Sequence, residues 1–424
     1  MRAFYVVVHR WVGLFIAAFL IVTGLTGAVI SWDHELDEWL NPHLTDAHTV
    51  GTPKSVLDII KEVEARYPTM QVLHTPLAVE AGHSLDLYME PRVNADTGEL
   101  YPKTFNQVFV DPVSGEELGK REWGAVWPIT KENLVSFLYV LHYSLHIPEF
   151  WGIDRWGLWL LGIVALVWTL DCFVSFYLTL PVKRRNVNST RTQSSWFQRW
   201  KSAWKIRWSG GSYKLNFDLH QAVSLWAWAL LFILAFTAFS LNLYREVFFP
   251  VMSLVSDVTP TPYDKRVPQP ENKPIIAQLS FTEALDRASE LAQQRNWDEP
   301  LGSVFYARHY GFYSVAFYHP EDEHGAGGVG HKELYVDAMD GRELGVTEPW
   351  KGTAADIFVQ AQFPLHSGRI LGVPGRILIS VMGLVVAMLS VTGVIIWWRK
   401  RKARLLKEDR SVAQGWFFQF LLKR

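Results

Sequence analysis

Five histidines stand out in this sequence because they lie beside apolar stretches of membrane-spanning length. His9 and His220 lie at the start of two such stretches, and His142, His146 and His366 lie shortly before two others. Neutral imidazole binds transition-metal ions, and two imidazoles at the same depth between helices can hold one metal centre from both sides. The placement of these histidines therefore predicts two paired metal sites, one near each face of a membrane.

Haem is the metal centre that best suits these pairs. Its flat ring fits between helices, its two axial positions accept imidazole, and its apolar edges match a chain with 20 Trp and 25 Phe. Gly13 and Ser224 each follow a histidine by four residues, which leaves room for a flat ring on the same helical face. Cys172 is the only cysteine, and without a Cys-x-x-Cys-His motif the haems are predicted to be b-type.

The pairing of the histidines is clear on one side and open on the other. His9 and His220 form the predicted inner pair, and His366 supplies one outer ligand. The Leu-His-x-Ser-Leu context favours His142 as its partner, whereas an alignment on the following glycines matches His146 instead. His146 thus stays a rival ligand or a partner of the ligand. A lone histidine near a membrane is often only an interfacial amphiphile, but the repetition on four helices favours ligation.

Four stretches that are nearly free of charge must position these histidines. A hydrocarbon core about 30 Å thick needs about 20 apolar helical residues, which each stretch supplies. The stretches cover residues 11–32, 156–182, 219–244 and 377–398, with Asp171 as their one acid. Because an unpaired carboxylate in a membrane is costly, Asp171 is a candidate for a proton relay or for pairing with a cation. This composition excludes a soluble enzyme and a nucleic-acid-binding protein.

Basic residues predict which segments lie in the cytoplasm. Residues 181–214 contain nine Lys or Arg and no acid, and residues 399–424 contain nine basic and two acidic residues. The positive-inside rule therefore places both segments and the N-terminus in the cytoplasm. Four tryptophans spaced by four residues in the basic loop predict an amphipathic helix on the inner leaflet. They are Trp196, Trp200, Trp204 and Trp208.

The two halves of the chain resemble each other, which indicates a duplication. Both exported segments contain a strand followed by a Val-Asp turn with a glycine, at residues 110–115 and 336–341. An amphipathic helix pattern precedes each of them, after Ser55 in one half and after Thr282 in the other. The predicted fold class is α-helical membrane protein: a four-helix transmembrane bundle from a parallel duplicated unit, with one exported α+β module per half.

The motifs around the histidines allow a more specific comparison. Residues 8–13, 141–145 and 364–368, together with the Val-Asp-x-x-x-Gly turns, resemble those of the PepSY-associated transmembrane family. That family includes iron-regulated inner-membrane proteins of Gram-negative bacteria, among them ferric-siderophore reductases. The resemblance covers nearly the whole chain and implies four spans, two periplasmic PepSY-like modules and haem b as an electron carrier. It also implies that the family's haem-site positions correspond to His9, His142, His220 and His366.

Reduction of a siderophore's ferric iron in the periplasm is the activity that this resemblance implies. We therefore predict a multi-pass oxidoreductase of the bacterial inner membrane with two b haems in series. Its expected partners are a periplasmic ferric siderophore, an unidentified cytoplasmic or membrane electron donor and the lipid bilayer, with no nucleic acid. The alternatives are a haem-free PepSY scaffold that binds a peptidase or envelope partner, and a quinone-linked cytochrome b that serves another periplasmic acceptor.

The predicted domain boundaries follow the spans. An N-terminal segment with the first span and a PepSY-like module are followed by the outer-face helix with the second span and the basic loop. The third span, the second module, the outer-face motif with the fourth span and a basic tail complete the chain. In this order the boundaries are 1–32, 33–133, 134–182, 183–214, 215–244, 245–362, 363–398 and 399–424.

Overall fold

The apolar stretches and the strand patterns fold into two separate units in the computed structural model of the protein, which describes residues 1–182, 195–322 and 325–421. The membrane unit contains the apolar helices, and the sheet unit contains the β-strands. The membrane unit comprises Met1–Ser31, Leu141–Tyr244 and Ile377–Arg424, and the sheet unit comprises Trp32–Val140 and Arg245–Arg376. The first part of the predicted basic loop, 183–194, and the last three residues of the tail lie outside the described residues.

The helices and strands alternate between the two units along the chain. The helices are α1 (Arg2–Ile30), α2 (Asp33–Leu40), α3 (Pro42–Thr45), α4 (Val56–Arg66), α5 (Leu134–Ser144), α6 (Trp156–Thr179), α7 (Trp196–Lys201), α8 (Gly211–Trp226), α9 (Trp228–Asn242), α10 (Phe249–Val255), α11 (Pro262–Lys265), α12 (Phe281–Gln294), α13 (Ala354–Gln360), α14 (Gln362–Ser367) and α15 (Gly372–Leu421). The strands are β1 (Met70–Pro76), β2 (Leu85–Pro91), β3 (Gln107–Val110), β4 (Glu117–Arg121), β5 (Leu301–Ala307), β6 (Phe312–Phe317), β7 (Lys332–Asp337) and β8 (Glu343–Thr347).

Three helical segments of the described chain are long and apolar enough to cross a membrane. They are α1, α6 and Arg369–Leu406, which includes much of α15. Helices α8 and α9 meet the same requirement together, but they are bent by 73°, so the number of spans is four if this pair counts as one. The sequence predicted a single continuous helix here because neither Pro nor Gly marks the bend at Ala227.

The spanning helices pack closely around a shared apolar cluster. A side chain at Gly24 would place its Cβ 2.7 Å from the carbonyl oxygen of Gly383, so α1 and α15 meet backbone to backbone. Residues from α1, α6, α9 and α15 fill the centre of the unit. They are Ile16, Leu20, Val164, Leu231, Leu234, Met382 and Val386.

One antiparallel sheet runs through the whole sheet unit. Its strand order is β4-β3-β2-β1-β5-β6-β7-β8, so each half contributes four consecutive strands. The two halves meet where β1 pairs with β5, with His74 opposite Phe305. The sequence predicted two exported modules, and in the structure they form one sheet. The pairing of β1 with β5 removes an unpaired edge from each half.

A helix precedes the four strands in each half and packs on the sheet. Helix α4 begins after Ser55, as its sequence pattern predicted. Helix α12 begins after Ser280 and not after Thr282, because Ser280 and Glu283 form a reciprocal capping box. Buried residues such as Ile59 of α4 and Leu285 of α12 complete the two apolar cores on this face of the sheet.

The amphipathic helix predicted for the basic loop is shorter in the structure. Helix α7 contains Trp196 and Trp200, and a short 3-10 turn extends the helical run to Trp204. Trp208 lies beyond this run, before α8 begins at Gly211. Only the first three of the four tryptophans therefore belong to the helical run.

Candidate functional site

A cavity of about 360 Å³ lies within the membrane unit. Its volume falls in the range of small-molecule sites, about 300–1,000 Å³. Both His9 of α1 and His220 of α8 line it. Gly13 and Ser224, the small residues one turn further along each helix, line it too, and a Cβ added at Gly13 would meet nothing within 4 Å. The cavity is thus open beside both histidines, on the faces where the small residues lie.

Each histidine of this pair lies further inside its helix than its distance from the apolar stretch suggested. The sequence placed both in the first helical turn. Helix α1 begins at Arg2 and α8 begins at Gly211, so His9 and His220 lie about two turns or more from the helix starts. The helical segments extend beyond the apolar stretches because polar and basic residues also continue the helix. The helix starts predicted from hydropathy alone therefore lie too far along the chain.

The imidazole rings of His9 and His220 lie at a separation that suits a shared metal ion. Their ring centres are 6.3 Å apart and their planes are inclined by 51°. Metal–imidazole bonds of about 2 Å on both sides of one ion separate the two ring centres by about 6 Å. The distance is too long for stacking contact between the rings and fits a single ion between them.

Hydrogen bonds orient both rings through the same nitrogen. His9 Nδ1 lies 2.8 Å from Asp171 Oδ2, and His220 Nδ1 lies 3.0 Å from both the Leu389 carbonyl oxygen and Thr392 Oγ1. Carboxylate and carbonyl oxygens only accept hydrogen bonds, so in each ring Nδ1 carries the proton. In the neutral ring the lone pair therefore lies on Nε2, and in the described part of the chain neither Nε2 has a hydrogen-bond partner. This is the arrangement of a metal-binding histidine.

Asp171 is the residue whose role the sequence left most open, as a proton relay or as a partner of a cation. In the structure it lies on α6, is 7% exposed and pairs with His9. The sequence offered no means of finding this partner, because the two residues are 162 positions apart. The partners of His220 were missed as well. In the sequence, these partners are indicated only by a threonine in an apolar helix, Thr392.

Cationic side chains complete the lining of the cavity. Arg2, Arg10 and Lys400 line it together with apolar residues such as Trp168. The Arg2 guanidinium donates to carbonyl oxygens at the end of α6, including that of Leu180 at 3.0 Å. Haem b combines an apolar ring with two carboxylates, so this lining suits it. The donor atoms, the ring spacing and the lining of the cavity all fit haem.

His142 is held against α1 within the membrane unit. Its Nδ1 lies 3.1 Å from Thr26 Oγ1, and the Thr26 hydroxyl donates to the Val22 carbonyl oxygen at 2.8 Å. A Cβ at Gly27 would lie 2.8 Å from His142 Cε1, so only glycine allows the ring this position. The contact with the Thr26 hydroxyl and the close approach of Gly27 together fix the His142 ring against α1.

His146 does not share a helical face with His142, although in a continuous helix a spacing of four residues would place both on one face. Helix α5 ends at Ser144, and Leu145 and His146 have positive φ values of 56° and 52°. The chain therefore turns away from the helix before His146 is reached.

His366, the predicted outer partner, lies on α14 of the sheet unit, whereas His142 belongs to the membrane unit. Their pairing at one haem stays a prediction.

The apolar helices, the paired histidines and the separate antiparallel sheet define a helical membrane protein with a second, β-rich unit. The family model of the PepSY-associated TM region matches residues 6–400, so the chain belongs to that family. This match confirms the resemblance inferred from the histidine motifs and the Val-Asp turns. No curated protein matches the sequence.

Proposed function

We propose that this protein is a di-haem b electron-transfer protein of the bacterial inner membrane. It passes electrons from the cytoplasmic side to the periplasm and there reduces the ferric iron of a siderophore complex. One electron converts each ferric ion to ferrous iron, which hard oxygen ligands hold far less tightly. Ferrous iron is thereby released from the chelate. The family membership supports this proposal, and the membrane unit supplies its geometric basis.

The geometry of His9 and His220 is the observation on which the proposal rests. Their rings lie 6.3 Å apart beside a cavity in an apolar unit, and neither Nε2 has a partner among the described residues. His9 and His220 would hold the iron of a haem through their Nε2 atoms. When bound, haem iron provides a centre that accepts and releases one electron at a time.

The residues of this chain orient the ligands and exclude water. Asp171, Leu389 and Thr392 hold the Nδ1–H groups of the two rings, which fixes the tautomer and the ring orientation. Apolar side chains such as Trp168 and Leu231 line the cavity and would exclude water from the part of the ring that they contact. We assign His142 and His366 to a second haem on the periplasmic side, with the charge distribution of the sequence setting the orientation in the membrane.

Haem content tests this proposal directly. The purified wild-type chain should contain two b haems, measured by a pyridine haemochrome assay and by its visible spectrum before and after dithionite. His9→Ala and His220→Ala should each contain one. His83→Ala changes an exposed histidine of the sheet unit and is the matched control, for which we expect two haems. A colourless wild-type protein would refute the proposal and favour a haem-free scaffold.

A second measurement addresses the electron acceptor. Dithionite-reduced protein, freed of excess reductant, should be reoxidised under anaerobic conditions by a ferric trihydroxamate siderophore. A ferrous-iron chelator in the same cuvette should develop colour at one ferrous ion per electron lost. Reoxidation by ubiquinone but not by the ferric siderophore would instead support the quinone-linked cytochrome.

A further inference from the structure

The two histidines that line the cavity have chemically different partners. His9 Nδ1 donates to Asp171, a carboxylate on α6. His220 Nδ1 donates to two neutral oxygen atoms on α15, the carbonyl of Leu389 and the hydroxyl of Thr392. Hydrogen bonds to an ionised acceptor are roughly twice as strong as those between neutral groups. The His9 ring therefore has the stronger acceptor.

The burial of Asp171 lowers the stability of the fold. Its residue is 7% exposed, and its second oxygen, Oδ1, is buried without a hydrogen-bond partner in the described part of the chain. Such an atom loses its hydration and gains no hydrogen bond in return, which destabilises the fold. A carboxylate that only tied α6 to α1 would be replaced at little cost by an uncharged side chain. The charge itself thus needs an explanation, and the ring of His9 is the group that it contacts.

We propose that Asp171 is a positioning residue that strengthens His9 as an iron ligand and lowers the reduction potential of the haem at this site. The inference rests on the proposed function, because it takes His9 as an axial ligand. A carboxylate that accepts the Nδ1–H bond makes the imidazole more basic at Nε2. A more basic ligand with a nearby negative charge stabilises ferric iron over ferrous iron, the more so in an apolar site.

The consequence concerns the strength of the reductant. A lower potential at the His9/His220 site makes its electron easier to pass on to any acceptor further along the chain. The neutral acceptors of His220 have no comparable effect, because they carry no charge. Asp171 thus gives the inner site a property that the pair of histidines alone does not provide.

Substitution of Asp171 by its isosteric amide separates charge from shape. In Asp171→Asn the side-chain oxygen can still accept the Nδ1–H bond of His9, while the negative charge is lost. Redox titration of the purified full-length protein should show one of the two haem components with a raised midpoint potential and the other unchanged. The EPR g values of the same component should change, since they report ligand basicity. Asp171→Glu should return the potential toward that of the wild type.

Thr392→Val is the matched control on the other histidine. It removes the hydroxyl next to His220 Nδ1 and leaves the Leu389 carbonyl as acceptor. We expect a shift of the same component that is clearly smaller than the shift in Asp171→Asn. Equal shifts in the two variants would overturn the inference, because the charge would then have no special role.

The remaining outcomes also decide between the two proposals. Wild-type protein without haem refutes the proposed function itself, whereas haem-containing Asp171→Asn with an unchanged potential refutes only this inference. If Asp171→Asn loses the inner haem, the haem content and the midpoint potential of Asp171→Glu show whether the carboxylate itself is needed. Retention of that haem at the wild-type potential supports the role of the carboxylate, and loss in both variants reduces Asp171 to a packing residue.

Discussion

Asp171 in the membrane unit and Asp111 in the sheet unit are both buried carboxylates, yet their hydrogen bonds differ. Asp111 is 3% exposed, and both of its oxygens accept backbone N–H groups, from Val113 and Ser114 on one and from Thr49 on the other. Asp171 uses one oxygen for His9, and the other has no partner in the described residues. Both oxygens of Asp111 therefore accept hydrogen bonds, and the residue stabilises its turn.

The same contrast extends to the second half of the sheet. Asp337 occupies the position of Asp111 in the repeated Val-Asp turn and bonds to the backbone of Met339 and to the guanidinium groups of Arg266 and Arg342. In the described part of the membrane unit, by contrast, the Nε2 atoms next to the cavity are left for a ligand. The difference predicts that changes in the membrane unit remove haem, while changes in these turns remove stability.

The largest expected effect concerns the outer histidines. His366→Ala and His142→Ala should each reduce the haem content from two to one and abolish siderophore-iron reduction, with the inner haem still reducible by dithionite. His146→Ala should keep both haems, because His146 lies beyond the end of α5 and off the face that carries His142. Pyridine haemochrome assays on the three variants measure this order. Loss of haem in His146→Ala with retention in His142→Ala would reverse our assignment.

Destabilisation of the sheet unit should be smaller and should leave the haems in place. Asp337→Asn sets an amide against two guanidinium groups and should cost about 1–3 kcal/mol. Hydrogen exchange of the β7 and β8 amides should accelerate by about tenfold or more, since local opening follows local stability. Asp340→Asn is the control, because Asp340 lies in the same turn and is exposed. Haem loss in Asp337→Asn would contradict this prediction and would show that the turn also contributes to haem binding.

Local patterns in the sequence predicted the sheet unit better than the membrane site. The Val-Asp-x-x-x-Gly turns and the amphipathic helix after Ser55 depend on neighbours in sequence, so the sequence contains their signals. The start of α12 was misplaced by two residues because Ser280 and Thr282 are both good caps, and only Glu283 distinguishes them.

The histidine site depends on contacts between distant segments, which explains what the sequence could not provide. The histidines themselves were visible in the sequence, since apolar stretches flank them. The partners of His9 and His220 lie on other helices, and no local spacing indicates them. The bend at Ala227 and the left-handed residues after Ser144 were missed for a related reason, because no Pro or Gly marks either place.

The last and smallest effect is a pH dependence in the turn that Asp111 builds. Burial alone would raise the pKa of Asp111, but hydrogen bonds from the backbone of Ser114 and Val113 and from Thr49 lower this pKa to about 2. A folded-state pKa below the unfolded value, about 3.9, means that the ionised group stabilises the fold. This contribution is complete above about pH 4 and is lost as the pH falls toward about 2.

Comparison of the wild type with Asp111→Asn isolates this contribution from the other carboxylates. The amide in this variant does not titrate, so the difference in stability between the two proteins should be constant from pH 7 to about pH 5 and should shrink steadily below about pH 4. Thermal melting of both proteins, followed by circular dichroism in the strand region at several pH values, measures the difference. A difference that does not change with pH would mean that the Asp111 charge contributes nothing to the turn, and that the hydrogen bonds of this turn depend on shape alone.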